Sequence, residues 1–370
     1  MGTCSGNVSG NISAFFYSES FNSASNSISN PFLLRSQVVL NTVTSDSNAS
    51  VSHPSRSTPS LNGPLVPFGQ RLVDAVLAKK NPVCVGLDPR TSSLPESIRP
   101  GAGASLKEQA DAFRVFCFEI IDTVHELVPI VKPQAAFFEE LGPCGMDALA
   151  QVVRYATQRG VLVVMDAKRG DIGTTATAYA NAFLGSGPEG TAAYSPWGAD
   201  ALTVNPFLGI DTLEPFTQRC HASGSGLFVL VKTSNPGSGF LQDVVDGATQ
   251  ASSGISLSEK LASHVESLSA DSRGTDGYGS IGAVVGATYP HQLAAMRERM
   301  PSAWILVPGY GAQGGSASDV KHGMDARGLG AIINSSRGII FAHDNPKYRG
   351  TEWTDSVRNA TLDMIEALTS

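Results

Sequence analysis

The chain has 370 residues, 42% of them hydrophobic and 16% charged, with a formal net charge of -7 and a pI near 5.5. That balance suits a globular protein with a sizeable core. It lacks the basic surplus and the Lys/Arg runs interleaved with aromatics that track a phosphate backbone, so nucleic acid is not an expected partner. No apolar stretch reaches the roughly 20 residues that cross a bilayer, and no charged segment followed by an apolar one opens the chain, which argues against membrane insertion and secretion.

In chain order, residues 1–62 stand apart. They are rich in Ser, Asn and Thr, and before position 60 the charged residues are Glu19, Arg35, Asp46 and Arg56. Too few apolar residues recur there at any regular period to offset the entropy of ordering, so a disordered extension is expected. It is read as dispensable or as an upstream start. An acidic-poor, Ser-rich organelle-targeting segment is the alternative, thinly supported by two arginines. The five cysteines (Cys4, Cys84, Cys117, Cys144, Cys220) are odd in number and scattered, without metal-ligand spacing, and are read as free thiols of a cytoplasmic protein.

From residue 63 to 370 short β-branched apolar runs alternate with longer segments of helical period. The predicted strands are Val83–Leu87, Val128–Val131, Val161–Met165, Ala201–Val204, Leu227–Val231, Ile281–Val285, Trp304–Val307 and Ala331–Ile333. The clearest predicted helices are Leu106–Leu127, Met146–Gln158, Thr174–Leu184, Leu257–Leu268, His291–Met300 and Thr354–Leu368. Near-continuous apolar strands joined by crossover helices imply a parallel sheet buried on both faces. Eight such units fit an α/β TIM (β/α)8 barrel, with an open doubly wound sheet as the alternative.

Barrel chemistry gathers at the carboxyl ends of the strands. Those ends read Gly86-Leu87-Asp88-Pro89-Arg90, Lys132-Pro133-Gln134, Asp166-Ala167-Lys168-Arg169-Gly170-Asp171, Asn205-Pro206-Phe207, Lys232-Thr233-Ser234-Asn235-Pro236-Gly237, Pro308-Gly309-Tyr310-Gly311-Ala312-Gln313-Gly314-Gly315 and Asn334-Ser335-Ser336-Arg337. Each has a bland explanation alone: Asp171 as a helix N-cap, Asp166 and Lys168 as a surface ion pair, Lys132 as a solvated lysine. Their convergence on one rim favours a site. The G-x-G-x-x-G match at Gly309–Gly314 comes too late in the chain for a dinucleotide fold. With Arg337 as a bidentate donor and Gln313 as an amide donor, it reads better as the phosphate site that barrels build from their last two loops.

These motifs together resemble the orotidine 5'-phosphate decarboxylase family, in particular its longer bacterial subgroup, over residues from about 65 to the C-terminus. The resemblance implies a homodimeric barrel that converts orotidine 5'-phosphate to UMP and carbon dioxide without metal or cofactor, in the last step of pyrimidine nucleotide synthesis. It makes Lys168 the proton donor to C6, Asp166 and Asp171 its electrostatic partners, and Lys132 the second lysine of the charged array. Asp88 and Thr175 would contact the ribose, Ser234 the pyrimidine ring, and Gln313 and Arg337 the phosphate. Asp171 and Thr175 would serve the neighbouring subunit's site.

The chemistry explains such an array. Loss of carbon dioxide leaves an in-plane carbanion at C6, and a nearby ammonium both stabilises it and supplies the proton. Desolvation alone would lower that lysine's pKa, and neighbouring carboxylates oppose the shift. The segment Ser234–Gly239 reads as a lid. Two other readings stay open: a magnesium-dependent keto-sugar-phosphate decarboxylase sharing the D-x-K-x-x-D core, which needs an acidic ligand where Lys132-Pro133-Gln134 stands, and a non-catalytic nucleotide-binding barrel.

Overall fold

The computed structural model describes residues 65–247, 254–287, 290–311, 315–350 and 352–370. The expected extension at 1–62 lies outside them, as does Gln313. Strands β1 (Val83–Leu87), β2 (Ile130–Pro133), β3 (Leu162–Arg169), β4 (Ala201–Val204), β5 (Gly226–Lys232), β8 (Ile281–Val285), β9 (Ile305–Val307) and β10 (Ala331–Ser335) are all parallel and close a barrel in the order β1-β10-β9-β8-β5-β4-β3-β2. Closure through β1, which pairs with both β2 and β10, excludes the open sheet. A small antiparallel hairpin, β6 (Val245–Asp246) with β7 (Ile255–Ser256), sits in the crossover between β5 and β8. No helix of the described residues is long and apolar enough to cross a membrane.

Period-2 alternation sorts every strand into two cores. Val83, Val85, Leu87, Val131, Val163, Met165, Leu202, Val204, Ile305 and Val307 point outward and pack under the helices. Cys84, Ile130, Leu162, Val164, Ala201, Phe228, Val284, Leu306 and Ile332 point inward. The helices form where expected, with ends set by local chemistry. Leu106–Val124 starts at a Ser105/Glu108 capping box and buries Phe113, Phe116, Cys117, Ile120, Ile121 and Val124 on one stripe. Leu257–Ala270 starts at a Ser256/Glu259 box.

The helix Phe68–Lys79, which like Glu214–Ser223 is not among the predicted ones, closes the amino-terminal mouth of the barrel. Its Phe68, Leu72, Val73 and Val76 belong to the inner core, with Phe68 edge-on to Phe228 at 6.0 Å. Gly226 makes room for it, since a Cβ there would stand 2.1 Å from the Phe68 ring. Arg71 pairs with the buried carboxylate of Asp200, which also accepts from Ser186 Oγ at 2.8 Å and from the Val163 N–H at 2.9 Å. The plug is thus tied to β3 and the start of β4 by hydrogen bonds as well as by packing.

Candidate active site

Continuing each inward row past the apolar layer brings the polarity of the barrel interior to a switch. Above Ile130 stands Lys132, above Leu162 and Val164 stands Asp166, above Ala201 stands Thr203, and above Ile332 stands Asn334. These residues floor a pocket of about 500 Å³ at the carboxyl ends of the strands, whose walls include Asp88, Gln134, Lys168, Ser234, Tyr310 and Arg337.

Asp166 is its centre. Oδ2 accepts from Lys132 Nζ at 2.7 Å and from Gln134 Nε2 at 3.0 Å. Oδ1 accepts from Lys168 Nζ at 2.6 Å and from Thr203 Oγ1 at 2.9 Å. The side chains of Lys132 and Asp166 are 5% and 8% exposed, whereas that of Lys168 is 45% exposed, so of the two lysines lining the cavity Lys168 is the more accessible. The bland alternatives of a surface ion pair and a solvated Lys132 do not hold: both Lys132 and Asp166 are interior groups.

Burial alone would raise the Asp166 pKa, but the two ammonium groups and their hydrogen bonds outweigh it and hold the carboxyl well below the usual range. Burial likewise pulls Lys132 down, and the charges of Asp166 and Asp88 more than reverse this, leaving it raised. Cys84, one layer below, is pushed up to about 12 by burial and remains a thiol.

Lys168 has φ of +45°, in the left-handed region that non-glycine residues rarely occupy. The register explains why. Met165 pairs with Leu202 and Arg169 with Val204, so three residues of β3 face one of β4. This bulge turns the Lys168 side chain toward Asp166, and the displaced Lys168 N–H finds Thr203 Oγ1 at 2.9 Å instead of a ladder carbonyl.

Asp88 reaches the pocket wall with Oδ1 buried and without a hydrogen-bond partner among the described residues. Ser234 lies on the opposite wall, followed by a segment tied back by Lys232 Nζ donating to Asp243 Oδ1 at 2.6 Å and by Gln242 bonding Thr233 at 2.9 Å on both its amide atoms. Arg337 opens the short helix Arg337–Ile340 at the rim, exposed and without an ion pair among the described residues. Beside it Gly309 and Gly311 have φ of +99° and +67°, and Gly311 N–H donates to the Gly315 carbonyl at 2.8 Å.

Two expected residues lie away from this cluster. Asp171 does not line the pocket of its own chain, and its Oδ1 accepts from the adjacent Ile172 N–H at 2.8 Å. It is not the N-cap of helix Gly173–Phe183 either, since Ile172 holds that position and no side chain caps it. Thr175 is exposed on the same helix. Thr203 and Gln134 were not singled out for a role in the sequence, although the inward alternation of β4 marks Thr203 as the lone hydroxyl in an apolar strand.

The sequence profile described as Orotidine 5'-phosphate decarboxylase / HUMPS family matches residues 81–350. The orotidine 5'-phosphate decarboxylase of Rhodopirellula baltica is 51% identical over 310 residues, 82% of this chain and 99% of its own. That of Haloarcula marismortui is 43% identical over 303 residues, 81% of this chain and 96% of its own. Among solved structures, OMP decarboxylase of Leishmania donovani superposes with a TM-score of 0.61 at 34% identity, covering 82% of this chain and 97% of its own.

Proposed function

The chain belongs to the orotidine 5'-phosphate decarboxylase family, and we propose from that premise that it decarboxylates orotidine 5'-phosphate to UMP and carbon dioxide, with Lys168 as proton donor to C6. The observation that carries the catalytic part is the four-donor Asp166 carboxylate, which keeps an ionised aspartate and a half-exposed ammonium in contact at the pocket floor. When the bond from C6 to the carboxylate breaks, its electron pair remains on C6. The Lys168 ammonium stabilises that charge and delivers a proton to it, and the neutral amine is then reprotonated from water. The reaction uses no cofactor.

The rest of the pocket supports placement of the same substrate. The orphaned Asp88 Oδ1 is an acceptor waiting for a donor, which a ribose hydroxyl provides, and leaving it unmet costs about 1–3 kcal/mol. Arg337 and the glycine turn at Gly309–Gly311 receive the phosphate, and Gln313, outside the described residues, keeps the phosphate role that the family resemblance gives it. Ser234 meets the pyrimidine, and the segment from Ser234 to Gly239 serves as lid. Remote phosphate binding energy then orders the ring over Lys168.

The active unit is a homodimer in which Asp171 and Thr175 complete the partner's site. Beside them stand Ile172 at 61% exposure and, after β4, Phe207, Leu208 and Ile210 at 72%, 53% and 59%, an apolar surface of the kind that association covers. Cys84, Cys117, Cys144 and Cys220 are free thiols, in keeping with a reducing cytoplasm. Against the magnesium-dependent alternative, the end of β2 carries the cation Lys132 where an acidic ligand is required.

Incubation with orotidine 5'-phosphate is expected to abolish the orotate absorbance at a rate unchanged by a chelator. Persistence of that absorbance with wild-type protein overturns the activity. Lys168→Ala is expected to be nearly inactive while folded; retention of more than about a tenth of the wild-type rate, only ~1.4 kcal/mol of barrier, overturns the proton-donor assignment.

A further inference from the structure

Among the described residues, Lys168 and Lys80 are the non-glycine residues with positive φ, and Lys168 is the one whose backbone is turned within a barrel strand, one residue before its carboxyl end. Something opposite must hold that conformation, because the bulge removes the regular ladder bonds there. The residue opposite is Thr203, 1% exposed. Its hydroxyl accepts from the Lys168 N–H and donates to Asp166 Oδ1, each at 2.9 Å, and that same Oδ1 accepts the Lys168 ammonium at 2.6 Å.

We propose that Thr203 is a positioning residue whose single hydroxyl fixes both the turned backbone of Lys168 and the carboxylate that holds its ammonium. This rests on the decarboxylase reading above. A hydroxyl has one proton. Because the amide N–H is received on a lone pair, the proton is committed to Asp166, and the sense of the bond is determined. Asp166 then has two donors on each oxygen and no rotation of the carboxylate that keeps all four. The ammonium tip of Lys168 is therefore located at both ends: by its backbone through Thr203, and by its ion pair through an Asp166 that Thr203 also restrains. β-Branching adds to this, since Thr χ1 is restricted in a strand and the hydroxyl is held in place before substrate arrives.

The test compares Thr203→Val, which keeps the shape and removes the hydroxyl, with Thr203→Ser, which keeps the hydroxyl. Each is assayed for kcat and KM on orotidine 5'-phosphate and for UMP affinity by calorimetry. Thr203→Val is expected to lower kcat by at least about tenfold, as a displaced catalytic group does, with KM and UMP affinity within about threefold of wild type. Thr203→Ser is expected to recover kcat to within about threefold of wild type. If Thr203→Val proves unfolded by thermal melting, Thr203→Ala carries the same expectation. A kcat for the Val or Ala variant within about twofold of wild type overturns the proposal, as does a Ser variant as impaired as Val, which would place the effect in packing. A wild type that leaves orotidine 5'-phosphate intact instead overturns the decarboxylase reading on which the proposal stands.

Discussion

Asp166 is a carboxylate that burial drives toward neutrality and two lysines hold ionised, and that contest has a pH signature. Its folded pKa lies below the unfolded value near 3.9, so the stability it contributes is complete above about pH 5 and is lost as pH falls toward the folded value. Lys132 is raised, so its share is present below its unfolded pKa near 10.4 and is lost as pH rises through the folded one. The stability difference between wild type and Asp166→Asn, from urea titrations across pH, should accordingly form a plateau from about pH 5 to 9 and shrink in acid. A difference that grows as pH falls below 4 would contradict the assignment. At the rim, Arg337→Ala should lower kcat/KM by about 10–100-fold, the worth of a charged hydrogen bond, chiefly through KM, as measured by initial rates.

At the scale of the element, β3 and the plugging helix illustrate opposite degrees of legibility. The apolar run of β3 announces a strand, and the charged tail Asp166-Ala167-Lys168 shows where it meets solvent, but the bulge depends on which β4 residues stand opposite. The helix Phe68–Lys79 follows a segment expected to be disordered, and its amphipathic stripe becomes meaningful only as a lid on the barrel's amino-terminal mouth. Its anchor is testable. Asp200→Ala strands Arg71, the Ser186 hydroxyl and the Val163 N–H, and should cost about 3–5 kcal/mol in urea unfolding, the usual result of breaking a buried pair. The pocket is at the other end of the strands, so kcat of the folded fraction should stay within about twofold of wild type.

For the whole molecule, closure into a barrel brings Asp88, Lys132, Asp166, Ser234 and Arg337, separated by as many as 249 positions between the first and last, onto one pocket. Asp171 and Thr175 remain outside it in a single chain, beside the exposed apolar residues Ile172, Phe207 and Ile210. A shared site predicts complementation. Neither Asp171→Ala nor Lys168→Ala homodimers should turn over substrate at an appreciable rate. Random mixing of the two should restore about a quarter of wild-type activity, because half the dimers are mixed and each mixed dimer has one intact site. Absence of recovery, with subunit exchange verified by native mass spectrometry, would confine Asp171 to its own chain.

Taken alone, the sequence determined the eight alternating strand and helix units and the polar carboxyl ends of the strands, because strand and helix periodicities are local; closure into a barrel rather than an open sheet came from β1 pairing with both β2 and β10. It also marked Lys132, Asp166 and Lys168 as unusual, since charges at the ends of apolar strands demand partners. Only the tertiary structure decided that Asp166 bridges both lysines, that Thr203 holds the turned backbone of Lys168, that Asp88 keeps an unmet acceptor in the pocket, and that Asp171 does not cap its helix. The first two depend on register across neighbouring strands, a property of two segments at once that neither carries by itself, and the last two on how the loops after β1 and β3 settle against their surroundings.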